Sequence, residues 1–499
     1  MPKKLVIFDI PLIVDLIASF LPAKDIKTCC KINRGWNTLF SPHMWREIRL
    51  VDISRRTPES NQALSRNARF IRRLQIDLMA DASLLLDAHC NQLQRLSCLW
   101  DRFRARELKD KRYAQLCYDG DIEMFDVSST PMQLIVMNPG LRKLEIACHE
   151  SELGLFLDQP VLASIARCHR LAYLSLHVTG TLNQKILQDL LPNIPRTCHF
   201  FELSLKDLLR MASQGPSSRL VFEPSFQLPF KTIRFLGTMY AFGESTLMPI
   251  FRHSPDVTEV LLPMTYGYVA ADMTLTLLGY CKHITKLHVP SVADDMWSTP
   301  TWRESEVLAL IHEYRLQEFS MDLTYVSSKN IIPALVHCSA KTLRDVFFDN
   351  ATSVFLECVL KECPELRSLN VRRPSEPHLS EWTSLEALVF TPWASSHLET
   401  LELPVIGGSW SGLAGRGYKV LREGGLEDEC RDAQWILQLY WKLKSLKELQ
   451  RLELLWCSTK GQALDPGEMF PLSSGMERLL LQAGMNSESM WLMNLHCER

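Results

Sequence analysis

The nine residues CPELRSLNV, Cys363 to Val371, contain the pattern that decides the fold of this 499-residue chain. Their apolar residues Leu366, Leu369 and Val371 form the phrase L-x-x-L-x-L. The last two stand at i and i+2, which places them on one face of a short strand, while the first turns inward from the preceding loop. The residues between them are therefore expected to face outward.

The same phrase recurs along the chain. Clear copies are Cys168 to Leu176, Cys281 to Val289, Ser396 to Leu403 and Leu449 to Leu455. Weaker copies are Phe70 to Ile76, Leu141 to Ile146, Asp256 to Leu262, Arg315 to Met321, Thr342 to Phe348 and Met476 to Leu481. The middle apolar residues of six successive copies are Val260, Leu287, Phe319, Val346, Leu369 and Leu401, with spacings of 27, 32, 27, 23 and 32 residues. This period lies near the leucine-rich-repeat range and slightly beyond it, and fits one strand and one helix per repeat.

Segments with helical spacing of apolar residues separate the strands, for example Met273 to Cys281 and Val354 to Cys363. Each unit buries its apolar face only against its neighbours, which predicts a curved α/β solenoid with parallel strands inside and helices outside over residues 51–499. Two segments, near 101–138 and 406–447, break the period. Each either hides one degenerate repeat or is an insertion that carries a binding loop.

Composition limits the partners and the compartment. A formal net charge of -2 gives no global field that would attract nucleic acid or an anionic membrane, and neither is expected as a partner. The chain has no apolar run long enough for a membrane helix or a secretory signal, which favours a soluble protein of the cytoplasm or nucleus. Fifteen cysteines without a C-x-x-C pair predict reduced thiols, and those at repeat corners are interpreted as buried packing residues.

Catalytic motifs are not found. In GLAGRGYK, Gly412 to Lys419, the lysine comes one residue too late for a phosphate loop and no Ser or Thr follows it. There is no H-E-x-x-H zinc helix and no G-x-S-x-G nucleophile elbow. The charged run Asp101 to Arg112 is interpreted as a solvated helix face, with contact to an acidic substrate or to phosphate as the alternative. The sequence therefore predicts no enzyme, and no catalytic, cofactor-binding or metal-binding residue.

The first 50 residues differ from the repeats. Asp9 is expected to cap a ten-residue amphipathic helix, and Asp25 to cap a second helix that runs toward Leu39. Ser41 and Pro42 are expected to start a third helical turn. Three such short helices bury too little apolar surface to be very stable alone. They need a partner or the adjoining repeats, which they could also shield as a terminal cap.

This segment, residues 5–50, resembles the F-box. The residues that match the family pattern, in order, are Ile10-Pro11, Phe20-Leu21, Asp25-Ile26, Cys29, Trp36, Pro42 and Trp45-Arg46. One departure is that many members carry Glu just after the proline, where this chain has Leu12 and Ile13. Together with the repeats, the chain is similar to F-box proteins with leucine-rich repeats, and in overall style to fungal members.

The resemblance implies a substrate-recognition subunit of a Skp/cullin/F-box ubiquitin ligase. Its three-helix F-box would dock on the Skp adaptor, and through it on cullin, while the repeats bind a protein substrate at residues that the sequence does not identify. The adaptor-binding residues it implies are Ile10, Pro11, Ile13, Ile17, Phe20, Leu21, Ile26, Trp36 and Trp45. Internal packing within the motif is the alternative for each of them. A Skp-bound or free-standing repeat scaffold without a ligase role is the alternative function, and an enzyme with an undetected site is a third.

Overall fold

The computed structural model describes residues 11–50, 57–77, 83–99, 129–149, 153, 157, 159–179, 184–206, 222–223, 225–237, 244–263, 268–289, 302–323, 328–349, 353–372, 383–407, 438, 442, 445–446, 449 and 451–458. The chain divides into two compact units, residues 1–254 and 255–499.

In the first unit, parallel strands pair in chain order. They are β1 Glu47–Leu50, β2 Arg73–Asp77, β3 Arg95–Leu99, β4 Lys143–His149, β5 Tyr173–Thr179, β6 Phe200–Lys206 and β7 Thr232–Leu236. The helices are α1 Pro11–Phe20, α2 Ala23–Ile32, α3 Arg34–Met44, α4 Pro58–Asn67, α5 Ser83–Asp87, α6 Ser129–Met137, α7 Gln159–Arg167, α8 Gln184–Leu190 and α9 Glu244–Arg252. Two 3₁₀ turns, Ala68–Phe70 and Leu191–Asn193, complete the described elements of this unit.

The second unit repeats the arrangement. Its strands are β8 Glu259–Leu261, β9 Lys286–Val289, β10 Glu318–Asp322, β11 Asp345–Asp349, β12 Ser368–Arg372, β13 Thr383–Ser384, β14 Thr400–Gly407 and β15 Arg451–Ser458. Its helices are α10 Tyr268–Tyr280, α11 Glu304–Glu313, α12 Ser328–Ser339, α13 Ser353–Glu362 and α14 Leu385–Phe390. The described pairings are parallel and join successive strands, except that β12 and β13 both pair with β14, at different positions along it.

The register predicted from the repeat phrase is confirmed in the second unit. Val260 lies opposite Leu287, and Leu287 lies opposite Phe319. The series continues through Val346, Leu369 and Leu401 on the next three strands that pair in this way. The predicted α/β class and parallel strand pairing are therefore confirmed, and a helix such as α12 or α13 separates successive strands, as predicted.

The apolar residues of the phrase form the core. In the copy at Cys168 to Leu176, the side chains of Leu171, Leu174 and Leu176 are all 0% exposed. In β10 and β11 the buried residues alternate with partly exposed ones. Since successive residues of a strand point to opposite faces, the remaining positions form an outward face of polar, charged and aromatic side chains.

Five described strands were not predicted from the leucine phrase: β1, β3, β6, β7 and β13. Cys98, Cys198 and Phe230 occupy positions at which the other copies have leucine or another aliphatic residue, and all three are 0% exposed. A cysteine thiol behaves as a small apolar group and a benzyl group as a large one, so these positions stay buried and apolar while the leucine pattern is lost.

The alternative that each aperiodic segment hides a degenerate repeat is wrong. Leu96 of β3 lies directly opposite Leu144 of β4, and Leu401 of β14 lies directly opposite Leu452 of β15. Two hydrogen-bonded neighbours leave no place for a strand between them, so neither segment adds a degenerate repeat to the sheet. Each segment therefore lies within a single connection between two paired strands, and the first of these connections contains helix α6. Most of their residues, including Asp101–Arg112 and Gly412–Lys419, lie outside the described residues, as do Asp9 and the predicted copy at Met476–Leu481.

The boundaries of the second and third helices differ from the prediction. Helix α2 begins at Ala23 after an extended Pro22, so Asp25 lies in its first turn and does not cap it. The break falls at Asn33, whose backbone is extended and whose side-chain oxygen accepts a hydrogen bond from the backbone N–H of Trp36 at 2.9 Å. Asn is a preferred N-cap, and this cap starts α3. Pro42 does not begin a helix but lies in the last turn of α3, where only one backbone bond is lost.

The corner cysteines are buried, as predicted. Burial raises the pKa of the Cys168 thiol to about 11, and those of Cys281 and Cys363 to about 12. At neutral pH fewer than about one in a thousand of these thiols is ionised, and only the thiolate reacts readily.

We expect iodoacetamide to leave Cys168, Cys281 and Cys363 unmodified in the native protein at pH 7 while it labels the partly exposed Cys338, as read by mass spectrometry. Equal labelling of all four would contradict the burial.

Candidate interaction surfaces

The three N-terminal helices share a small core of their own. Its buried side chains are Val14 and Ala18 of α1, Ile26 of α2 and Phe40 of α3. The ring of Phe40 stacks on that of Trp36 with 5.3 Å between the centroids. This core fixes the orientation of α1, because one of its faces is buried against the other two helices.

The structure places the predicted adaptor-binding residues in three different environments. Ile26 is buried, and Ile17, Leu21 and Trp36 are half-buried and pack against the helical core. Ile13 and Trp45 are partly exposed, whereas Phe20 is 79% exposed. Ile10 and the side chain of Pro11 lie outside the described residues. Packing within the motif is thus observed for four of the nine.

An apolar row remains exposed on α1. Leu12, Leu16 and Phe20 stand at i, i+4 and i+8 and are 77%, 58% and 79% exposed. Residues four apart lie on the same side of a helix, so the three side chains form one continuous strip, the α1 row. Ile32, at the end of α2, is also 56% exposed.

Sequence reasoning did not identify Leu12 and Leu16 as contact residues. Helix α1 is apolar on most sides, and periodicity alone does not tell which of its faces the neighbouring helices cover. The sequence did contain one usable signal, which is the large number of apolar residues in α1. The row Leu12, Leu16 and Phe20 is present in addition to the apolar face of Val14 and Ala18. A ten-residue helix with two apolar faces needs a second covering surface.

The outward face of the first unit carries an aromatic stack between two cations. The rings of Tyr173 and Phe200, on neighbouring strands, lie 4.1 Å apart and nearly parallel. Lys143 Nζ lies 4.0 Å from the Tyr173 centroid, and the guanidinium of Arg234 lies 5.1 Å from that of Phe200. Burial, followed by the charges of Glu202 and Glu145, raises the pKa of Tyr173 to about 12. The stack is therefore a neutral platform that both cations stabilise.

A Ser, His and Glu cluster lies beside this stack. Ser175 Oγ donates to Glu202 Oε1 at 2.9 Å and lies 2.9 Å from His177 Nε2. The same nitrogen of His177 lies 3.5 Å from Glu202 Oε1. In a nucleophilic triad the serine and the carboxylate contact opposite ring nitrogens, and the serine is accessible to substrate. Ser175 is 0% exposed, so this cluster joins strands and is not arranged for acyl transfer.

The outward face of the second unit is acidic. Among the described side chains of its strands, six carboxylates lie at outward positions: Glu259, Glu318, Asp322, Asp345, Asp349 and Glu402. We call this set the acidic face. The cations at outward positions of the same described side chains are Lys286 and, when protonated, His288. Lys286 Nζ lies 2.6 Å from Glu318 Oε2, and His288 Nε2 lies 3.3 Å from Glu318 Oε1.

A groove crosses strands β9 to β12 on this face. Its volume is about 370 Å³. It is lined by His288, Glu318, Phe319, Ser320, Asp345, Val346, Phe347, Ser368 and Asn370. The buried Asn370 Oδ1 has no hydrogen-bond partner among the described residues. The groove is thus lined by polar and charged residues together with Phe319 and Phe347.

Over the part of the chain that the structure describes, no helix has both the length and the apolar character that crossing a bilayer requires. No group of three or more His, Cys, Asp or Glu side chains is placed to hold a metal ion within the same residues.

Comparison with known proteins adds no family to these observations. No protein-family model matches the chain, and no curated protein matches it.

Proposed function

We propose that the chain is the substrate-recognition subunit of a Skp/cullin/F-box ubiquitin ligase. The observation that supports this most directly is the α1 row, three large apolar side chains exposed on one side of a helix that is anchored by its opposite face. Such a row is the usual form of a helix that lies in the apolar groove of a partner. The segment that carries it, residues 11–44, is also the one that resembles the F-box.

The exposure of the row favours docking on a partner, with or without end-capping of the repeats. Helix α3 ends at Met44 and β1 begins at Glu47, so the helices adjoin the repeats directly. The α1 row nevertheless remains exposed in the presence of the described repeats. A helical unit that served only to shield the first repeat would turn its large apolar side chains toward that repeat.

The proposed mechanism requires no covalent chemistry from this chain. The helices would hold the adaptor and cullin, and the outward faces of the strands would hold a protein substrate. Joining both in one chain raises the effective concentration of the substrate near the ubiquitin-conjugating enzyme. The Ser175 cluster, which lacks the arrangement of a nucleophilic site, fits this role better than catalysis.

The test is co-purification of the intact chain with the Skp adaptor and cullin. We expect the double variant Leu16→Ala/Phe20→Ala to lose about 2 kcal/mol of binding free energy, or about 30-fold in affinity, because two anchors are shortened. Both side chains are exposed, so thermal unfolding should be unchanged. Leu275→Ala is the matched control, since Leu275 is 67% exposed on helix α10 of the other unit.

Each outcome separates one alternative. Unchanged adaptor affinity in the double variant would refute the α1 row as the docking surface. Adaptor binding without cullin would favour the scaffold alternative. A well-folded intact chain that does not bind the adaptor would leave the repeats as a free-standing interaction module.

A further inference from the structure

Three lysines lie on one side of helix α2. Lys24, Lys27 and Lys31 stand at i, i+3 and i+7, and all three side chains are exposed. At 3.6 residues per turn they fall within about 60° of one another around the helix axis. Ile26 and Cys29, which pack in the core of the three N-terminal helices, lie on the other side of α2. We call the three lysines the α2 strip.

The α2 strip has no carboxylate partner among the described residues. None of its ammonium groups makes an ion pair or a hydrogen bond with a described residue. Asp25 follows Lys24 directly and therefore lies about 100° away from it around the helix axis. Asp15 of α1 lies 3.3 Å from His43 Nε2. Residues 11–46 contain five lysines and arginines against these two aspartates, whereas the whole chain has a net charge of -2.

The arrangement of the strip is unfavourable for the helix by itself. Like charges three or four residues apart repel each other, as Lys24 and Lys27 do, and as Lys27 and Lys31 do. Lys24 also lies in the first turn of α2, at the positive end of the helix dipole, where a cation is disfavoured. Carboxylates placed along the strip would remove this repulsion. The strip therefore favours an occupant with several closely spaced negative charges.

The α2 strip adjoins the α1 row. Phe20, the last residue of the row, precedes Lys24 by four residues, so their Cα atoms lie within about 15 Å of each other. A standard protein interface covers about 800 Å² on each partner, which is enough to include both surfaces. A nucleic acid could neutralise the lysines, but its phosphate backbone offers no apolar groove to Phe20, which is 79% exposed. The combination favours a protein that presents carboxylates beside an apolar groove.

We infer that the α2 strip binds an acidic segment of the protein whose apolar groove receives the α1 row. This inference rests on the proposed function, because it gives the charge of the adaptor surface beside that groove. The two surfaces contribute differently to binding. Apolar anchors mainly slow dissociation, whereas exposed charges mainly speed association and lose their effect as salt is raised.

The first measurement is the binding of a fluorescent synthetic peptide of alternating glutamate and alanine to the full chain. We expect binding that weakens as salt is raised, and no binding of the peptide in which glutamine replaces glutamate. The strip variant Lys24→Gln/Lys27→Gln/Lys31→Gln should bind the acidic peptide roughly tenfold more weakly, because it removes three adjacent charges. Glutamine keeps a long polar side chain of similar helix propensity, so thermal unfolding should be unchanged.

The control removes the same number of charges at scattered exposed positions of the repeats. It is the triple variant Arg170→Gln/Lys329→Gln/Lys341→Gln. Its net charge equals that of the strip variant, so a general effect of charge would weaken peptide binding equally in both. We expect the control to bind the peptide like the unaltered chain. Equal weakening in the two variants, or no peptide binding by the intact chain, would overturn the inference while adaptor binding stands.

The same preparations are then tested with the Skp adaptor, so that the two proposals fail separately. The strip variant should associate with it roughly tenfold more slowly at low salt, with little change in dissociation and no difference at high salt. Leu16→Ala/Phe20→Ala should instead dissociate faster at either salt concentration. Unchanged association of the strip variant would overturn the inference and leave the docking of the α1 row intact.

Two further outcomes are distinguishable. An intact chain that binds the acidic peptide through the strip, but does not bind the adaptor, would overturn the ligase role and leave the α2 strip as a docking surface for another acidic protein. A single-stranded oligonucleotide that binds more tightly than the peptide, and is lost in the strip variant, would assign the strip to nucleic acid and overturn the inference.

Discussion

Replacing Gly237 by alanine should strongly destabilise the first unit. Gly237 follows β7 and has a φ of +125°, a region that side-chain-bearing residues rarely adopt. A Cβ at this position would also overlap the carbonyl oxygen of Leu205 on the neighbouring strand. That oxygen belongs to a paired strand and cannot move away cheaply. We expect a loss of more than about 3 kcal/mol in unfolding free energy.

Hydrogen exchange of the β6 and β7 amides is the appropriate measurement, because a chain of two units need not unfold in one step. Gly140→Ala is the control in the same unit, since a Cβ there would meet nothing within 4 Å. Its effect should be within about 0.5 kcal/mol. Similar exchange rates in both variants would show that the backbone at Gly237 relaxes without cost.

Replacing Asn138 by alanine is expected to cost about 3 kcal/mol. The side chain is 1% exposed, and its Oδ1 accepts a hydrogen bond from the backbone N–H of Leu93 at 2.7 Å. Its Nδ2 donates to the carbonyl oxygens of Cys90 and Leu134. Alanine would leave buried backbone groups of two successive repeats without partners, at about 1–3 kcal/mol for each group.

The matched control for this variant is Asn193→Ala. Asn193 is half-buried, and its Nδ2 donates to the Asp189 carbonyl oxygen within its own helical segment. We expect a cost below about 1 kcal/mol, because water can replace that bond. Chemical denaturation monitored by hydrogen exchange in β3 and β4 compares the two. Equal costs would mean that water satisfies the groups around Asn138 as well.

The sequence predicted the register because the repeat phrase is local. Leu287 and Phe319 are 32 residues apart, yet each stands at the same place within its own phrase. Aligning the phrases therefore aligned the strands. The same argument failed at β6, where Cys198 and Phe201 replace the aliphatic letters although they fill the same buried positions.

The candidate surfaces were less predictable, because they depend on contacts between distant residues. The N-terminal helix break was missed because helical spacing continues through Asn33, and only its capping bond shows where α3 starts. Exposure of Leu12 and Leu16 follows from how α2 and α3 cover α1. The pairing of Glu318 with Asp345, in contrast, is already contained in the alignment of the phrases, since each stands one residue before the aligned Phe319 and Val346. Propensity and periodicity do not show which face of α1 is covered.

Leu96 pairs directly with Leu144, and Leu401 pairs directly with Leu452. The length of the segments that connect these strands therefore does not affect the geometry of the sheet. Whatever number of residues connects these strands, the hydrogen-bonded ladders on both sides keep the same alignment. Insertions and deletions at these two places therefore need not be compensated elsewhere in the gene. They are positions where related chains can diverge in length, and where a reporter domain can be grafted, without a shift of any repeat.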